Sequence, residues 1–246
     1  NNHSMDFGTD GLLETINILK MNKVISIGSG KNINEALLPF ELDNILIFNI
    51  AEHEFGGADK NKPGIATSDF EELLINLIRE GKRNGKIVII YSHMGMELIK
   101  IPPKYIRNKF RKWVENGADL IINSHPHIVQ GCEQYSGKSI FYSLGNFAFN
   151  YSWDKKYGNT DWSIGVELNL EKRTTKEIFF SVKNNIISID SNLALSNEFK
   201  SLSNRIISSN YESDFKNKLK SLFNERYGIF SPADKEQAAL ILHYFR

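Results

Sequence analysis

The chain contains six histidines, and four of them, His3, His93, His125 and His127, fall at the ends of predicted strands or in turns that lead into helices. A neutral imidazole is the commonest side-chain ligand for borderline divalent metals. His125-Pro126-His127 follows the apolar run Leu120-Ile121-Ile122. Pro126 biases His125 toward extended backbone, and in an extended chain residues two apart project to the same side. The pair is therefore expected to offer two imidazoles to one cavity, clamping one ion or bridging two. His93 follows Ile87-Val88-Ile89-Ile90, and Gly95 permits a tight exit from that strand. Asn2-His3 stands just before a helix expected from about Thr9. Imidazole combined with amide or carboxylate oxygen suits Zn, Mn, Fe, Co or Ni and not Ca. The bland alternative is that each histidine is an ordinary hydrogen-bonded residue, which is the usual fate of a lone His at a strand end. His53 and His243 lack company and read as structural, although Glu52-His53-Glu54 after a strand could line the mouth of the same cleft.

Such residues converge only if the fold brings them together, and the pattern from residue 9 to about 143 is that of a layered α/β domain. Leu12, Leu13, Ile16 and Leu19 recur at helical spacing, and Val24 to Ile27 read as a buried strand ending at Gly28. Ile45 to Ile50 form the next strand. Ser68 with Glu71 reads as a capping box ahead of Phe70, Leu73, Leu74, Leu77 and Ile78, in a helix that stops near Gly81 or Gly85. Strands follow at Ile87 to Tyr91, Leu120 to Ile122 and Ser139 to Ser143. Between the first two, Pro102-Pro103 open a helix whose buried face is Ile106, Phe110, Trp113 and Val114, closed by Gly117. In open α/β sheets ligands bind beyond the carboxyl ends of the strands, which is where these histidines fall. Past Asn146, Ile164 to Leu170 and Ile178 to Ile189 alternate like antiparallel strands with one wetter face. From Asn192 the chain is rich in Ser, Asn and Lys. Phe215, Leu219, Leu222 and Phe223 keep helical spacing there, as do Ala239, Leu242 and His243 less clearly, which gives a helical appendix.

Composition narrows the function classes. With 246 residues, 41% apolar, the chain can bury a sizeable core, which excludes a disordered chain or a minimal disulfide scaffold. Thirty basic against twenty-nine acidic residues leave +1, without the positive surplus that phosphate-backbone binding needs, so nucleic acid is not an expected partner. The single cysteine, Cys132, forms neither an internal disulfide nor a thiolate cage, so any metal is held by nitrogen and oxygen. No run approaches eighteen apolar residues. The start at Asn1-Asn2-His3-Ser4, without Met, suggests a processed or truncated N-terminus, and membrane association is expected only through a segment upstream. Cytoplasm and cell envelope both stay open as compartments.

Four stretches match one family pattern in order: Asn1 to Gly8 (NNHSMDFG), Tyr91 to Glu97 (YSHMGME), Gly117 to Gln130 (GADLIINSHPHIVQ) and Tyr142 to Phe147 (YSLGNF). The chain thereby resembles, over residues 1 to about 150, the CapA family of bacterial capsule and poly-gamma-glutamate synthesis proteins, within the calcineurin-like metallophosphoesterase superfamily. The resemblance implies an α/β fold, a layered metallophosphoesterase-like β-sandwich flanked by helices and truncated at its N-terminus, over residues 1–190, with a helical appendix over 191–246. It also implies two metal ions about 3.5–4 Å apart that activate hydroxide for in-line attack on phosphorus. By motif, Asn2, His93 and His125 would ligate the second metal and His127 the first. His3 would stabilise the transition state or protonate the leaving oxygen. Asp6 is expected to orient His3, Asn146 to line the pocket and Glu52 to flank it.

The family pattern places two acidic motifs upstream of the residues present here, one holding the first metal and one bridging both. The complete protein is therefore expected to bind two divalent ions of the Mn, Fe, Zn or Co class, and this chain one or none. The leading expectation is a metal-dependent hydrolase of a phosphoester-like bond, acting on an acidic polymer or a phosphorylated small substrate. A second is an accessory component of poly-gamma-glutamate or capsule polymer synthesis or export that binds without cleaving, since a shared fold does not fix the reaction. A third is a metal-free domain that keeps its histidines for hydrogen bonding.

Overall fold

Branched aliphatic residues dominate Ile45–Ala51, Ile87–His93 and Leu120–Asn123, and nearly all of their side chains are buried or half-buried, as strands covered on both faces require. The computed structural model describes residues 2–148, 160–183, 186–191 and 193–227. Its strands are β1 (Ser29–Gly30), β2 (Phe40–Leu42), β3 (Ile45–Ala51), β4 (Gly64–Ile65), β5 (Ile87–His93), β6 (Leu120–Asn123), β7 (Cys132–Tyr135), β8 (Lys138–Phe141), β9 (Trp162–Asn169), β10 (Thr174–Lys183) and β11 (Ile186–Ile189). The α-helices are α1 (Gly8–Met21), α2 (Ile33–Ala36), α3 (Glu71–Arg83), α4 (Lys104–Glu115), α5 (Leu193–Ile207) and α6 (Tyr211–Tyr227).

The chain is a mixed α/β protein. A six-stranded sheet has the order β2-β3-β5-β6-β8-β7, in which β3, β5, β6 and β8 run parallel and β2 is antiparallel to β3. A three-stranded antiparallel sheet has the order β11-β10-β9, and β1 and β4 form a small pair. Two compact units result: Asn1–Met94 with Phe110–His125 and Gln134–Phe141, and Gly95–Lys109 with Pro126–Glu133 and Tyr142–Arg246.

In the first unit the register decides where the strands end. Ala51 pairs with His93, and Ser92 with Asn123, so β3, β5 and β6 finish at one edge. Asn123 locks that edge: its Oδ1 accepts from Met94 N–H at 2.9 Å and from Ser92 Oγ at 2.9 Å, and its Nδ2 donates to the Met94 carbonyl at 2.8 Å. At the opposite end Lys82 and Lys138 converge on Asp119, at 2.6 and 2.7 Å. The expected face of α4 is buried, with Ile106, Phe110, Trp113 and Val114 all at 7% exposure or less.

Several sequence expectations fail for local reasons. Val24 to Ile27 form no strand, and Val24 and Ile25 are exposed. Lys23 adopts a left-handed conformation (φ 58°), Val24 N–H returns to the Leu19 carbonyl at 2.9 Å and Lys23 N–H to that of Lys20 at 3.0 Å. Val24 is thus consumed in a Schellman closure of α1, with Lys23 where Gly is usual. No capping box forms at Ser68, because Ser68–Phe70 make a 3₁₀ turn and α3 starts only at Glu71 without a side-chain cap. The expected strand Ile178 to Ile189 is two strands, β10 and β11. In the second unit α5 and α6 supply helices after residue 192; the expected spacing at Ala239, Leu242 and His243 lies outside the described residues. No described helix is long and apolar enough to cross a membrane.

Candidate metal centre

The common edge of β3, β5 and β6 carries the chemistry of the first unit. His93 is the last residue of β5, His125 lies two residues beyond β6, and Glu54 three beyond β3. The rings of His93 and His125 stand 4.7 Å apart between centroids at an interplanar angle of 60°. Both are buried, at 8% and 3% exposure. Ser124 Oγ lies 3.2 Å from His93 Nδ1, which fixes one nitrogen of that ring.

Glu54 joins these histidines to the first residues of the chain. Its Oε1 lies 3.3 Å from His125 Nε2, and its Oε2 accepts from Asn2 Nδ2 at 2.5 Å. The His125 hydrogen bond, against the opposing effect of partial burial and with help from Asn2, holds the Glu54 carboxyl down at about 2. A full negative charge therefore stands beside two buried imidazoles at neutral pH. Since Asn2 presents its amide N–H to that carboxylate, its carbonyl oxygen is turned elsewhere, buried and without a hydrogen-bond partner among the described residues. A buried acceptor in that state is costly unless a donor, a water or a cation satisfies it.

His127 is positioned differently from the strand-end histidines. His125 and Pro126 form a turn rather than extended chain, and His127 takes a left-handed conformation at φ 60°. The backbone linking the two histidines is thus a turn and not an extended strand. In the second unit His127 Nδ1 pairs with Asn146 Oδ1 at 2.8 Å. The amide oxygen can only accept, so Nδ1 is the donor of this pair, and in a neutral imidazole Nε2 is then the nitrogen open to a metal. One ligand atom from each of His93, His125 and His127 lies within 4.8 Å of the others. That spacing, with a carboxylate and an amide oxygen nearby, fits a divalent cation of the Zn, Mn, Fe or Co class, and this buried cluster could hold a metal ion.

The other expected residues distribute as follows. Asn2 is buried in the Glu54 contact. His3 is exposed, with Nδ1 3.0 Å from Asp6 Oδ2 and its ring edge-on to Phe55 at 5.7 Å. Asp6 thus does contact His3. Glu52 donates its backbone N–H to the His93 carbonyl at 3.1 Å, so its main chain extends the strand pairing. Its neighbour Glu54 is the residue that reaches the histidines. Within the Glu52-His53-Glu54 triplet that follows β3, the contacts to Asn2 and His125 are made by Glu54. His53 is exposed and pairs with Asp69.

The family model described as bacterial capsule synthesis protein PGA_cap matches residues 1–151. The PGA biosynthesis protein CapA of Bacillus subtilis is 32% identical over 182 residues, covering 71% of this chain and 47% of that protein. The capsule biosynthesis protein CapA of Bacillus anthracis is 30% identical over 165 residues, covering 63% of this chain and 40% of its own length. A probable polyglutamine synthesis accessory protein of Mycobacterium tuberculosis is 26% identical over 168 residues, 61% of this chain and 44% of that one. The chain therefore spans less than half the length of each of these curated relatives. With the strand-end histidine cluster inside the matched region, the chain belongs to the bacterial capsule synthesis protein PGA_cap family.

Proposed function

We propose that this chain carries the metal-binding half of a metallophosphoesterase-like hydrolytic centre, which cleaves a phosphoester-like bond during capsule or poly-gamma-glutamate formation. The observation that carries the reading is the cluster of three histidine ligand atoms within 4.8 Å, at the carboxyl edge of a parallel sheet. A bound divalent ion would supply Lewis acidity and a water of near-neutral pKa. This chain's residues do the rest. His93, His125 and His127 hold the ion. Asn2 offers its buried carbonyl oxygen, and Glu54 balances part of the cationic charge while fixing both Asn2 and His125. His3, which is exposed and paired with Asp6, would in this reading move a proton to a leaving oxygen. In this reading one ion occupies this chain and two the complete protein. Residues 1–190 act as a metallophosphoesterase-like domain, with 191–246 as its helical appendix.

The test joins metal content to activity. The chain loaded with zinc or manganese should retain about one ion after desalting and hydrolyse bis(4-nitrophenyl) phosphate. His125→Ala should lower metal affinity by more than the roughly 10–100-fold that loss of an outer-shell partner costs. Unchanged metal content in that variant would sink the proposal. One relative is named a biosynthesis protein and another a synthesis accessory protein, and we keep as a second reading an accessory protein that binds an acidic polymer without cutting it. Retention of intact poly-gamma-glutamate by metal-loaded protein, with no phosphodiesterase activity, would select it.

A further inference from the structure

A left-handed backbone at a residue with a β-carbon persists only where its surroundings over-determine it, and His127 has φ 60°. Some of that constraint is nearby in the second unit. Leu98 N–H donates to the Pro126 carbonyl at 2.9 Å, and Asn146 holds the imidazole. Further along, Ile128, Val129 and Gln130 are each 1% exposed. Gln130 donates its N–H to the Ser143 carbonyl at 3.1 Å and its side-chain amide to the Ile99 carbonyl at 2.6 Å.

The segment then runs onto α5. A β-carbon at Gly131 would lie 2.4 Å from Ser203 N and 2.7 Å from Leu202 C, backbone atoms that no rotamer change can move. The next residue, Cys132, donates its N–H to Ser203 Oγ at 2.9 Å, and that hydroxyl in turn donates to the Phe199 carbonyl at 2.9 Å. Strand β7 lies at the edge of its sheet. An edge N–H covered by a helix needs an acceptor outside its own sheet. Ser203 supplies it. The same helical pair also grips the loop that supports His127 from the other side. Lys100 pairs with Glu198 at 2.7 Å, and Tyr211 Oη donates to the Pro102 carbonyl at 2.6 Å.

We propose that Ser203, seated against Gly131, makes α5 the positioning element of His127, fixing the strand after the turn and so the left-handed conformation that sets its imidazole. The functional consequence rests on His127 being a metal ligand; the positioning itself does not. The test is imidazole ¹H–¹⁵N NMR on the metal-free full chain, comparing the parent with Ser203→Ala and Ser203→Thr. In Ser203→Ala the His127 Nδ1 signal shifts and broadens while those of His93 and His125 hold, and Ser203→Thr, which keeps the hydroxyl, restores it. Zinc affinity falls in Ser203→Ala by less than the roughly 10-fold that losing a direct partner of a ligand costs. An unmoved His127 signal overturns the proposal, as does a joint shift of all three imidazoles. Absence of any zinc response in the parent would remove the metal reading, while the metal-free spectra still decide the positioning role.

Discussion

The six-stranded and three-stranded sheets solve different problems with similar residues. In the first, β3, β5 and β6 are covered on both faces, so polar groups are admitted mainly at the strand ends, and all three ends meet at one edge. In the second, Ile186 and Ile189 are exposed, and the aromatic residues of β10 divide between its faces, with Phe180 against Phe147 and Phe179 against Phe199. Residues 162–189 contain no histidine. The contrast teaches that chemistry gathers where buried parallel strands must stop. Their last residues are held by the ladder yet freed from it, which preorganises side chains without burying a bare backbone.

The contrast should be sharpest in stability. Ile90→Ala in β5, at a fully buried position, is expected to cost about 2–5 kcal/mol in urea unfolding. Ile189→Ala in β11, 74% exposed, should stay within about 0.5 kcal/mol. Comparable losses at both sites would erase the distinction.

A smaller effect is expected at the far end of the parallel sheet. Burial alone would push the Asp119 carboxyl up, but Lys138, Lys82 and the Val88 N–H outweigh it and hold it below its ordinary 3.8. A lowered folded value stabilises the fold above 3.8, and that contribution is lost as the pH falls through the folded value. Asp119→Asn should therefore cost about 1–3 kcal/mol at pH 7 and flatten the acid limb of stability, as urea midpoints measured from pH 6 to pH 2 would show.

The smallest expected signal lies at the candidate site. Glu54 should titrate with a midpoint near pH 2, followed by its side-chain carboxyl ¹³C shift, because His125 and Asn2 favour the ionised form. The linkage has the same sign: its contribution is complete above the ordinary value of 4.5 and fades toward 2. A midpoint at 4.5 would show that the Glu54–His125 contact does not form in solution.

Much of this was legible in the sequence, in uneven ways. The strands ending in His93 and Asn123 were readable because fully buried strands write continuous aliphatic runs. The buried face of α4 was readable because four large residues recur at helical spacing behind Pro102-Pro103. Val24 to Ile27 misled by the same logic, since an apolar run carries no mark of whether a strand partner exists. At His125-Pro126-His127 the expected extended backbone is a turn: proline disfavours helix before it, but a turn meets that condition as well as a strand does.

From its own order of residues the chain determined the mixed α/β pattern and the set of imidazoles available for a metal, because both depend on residue type and short-range period. Tertiary structure decided that Glu54 reaches His125, that His127 stands in a left-handed turn, and that Gly131 lies against Ser203 some seventy residues onward. These are contacts between segments with no shared period. They exist only once parallel pairing fixes which strand ends lie side by side and packing fixes how closely a helix can approach an edge strand.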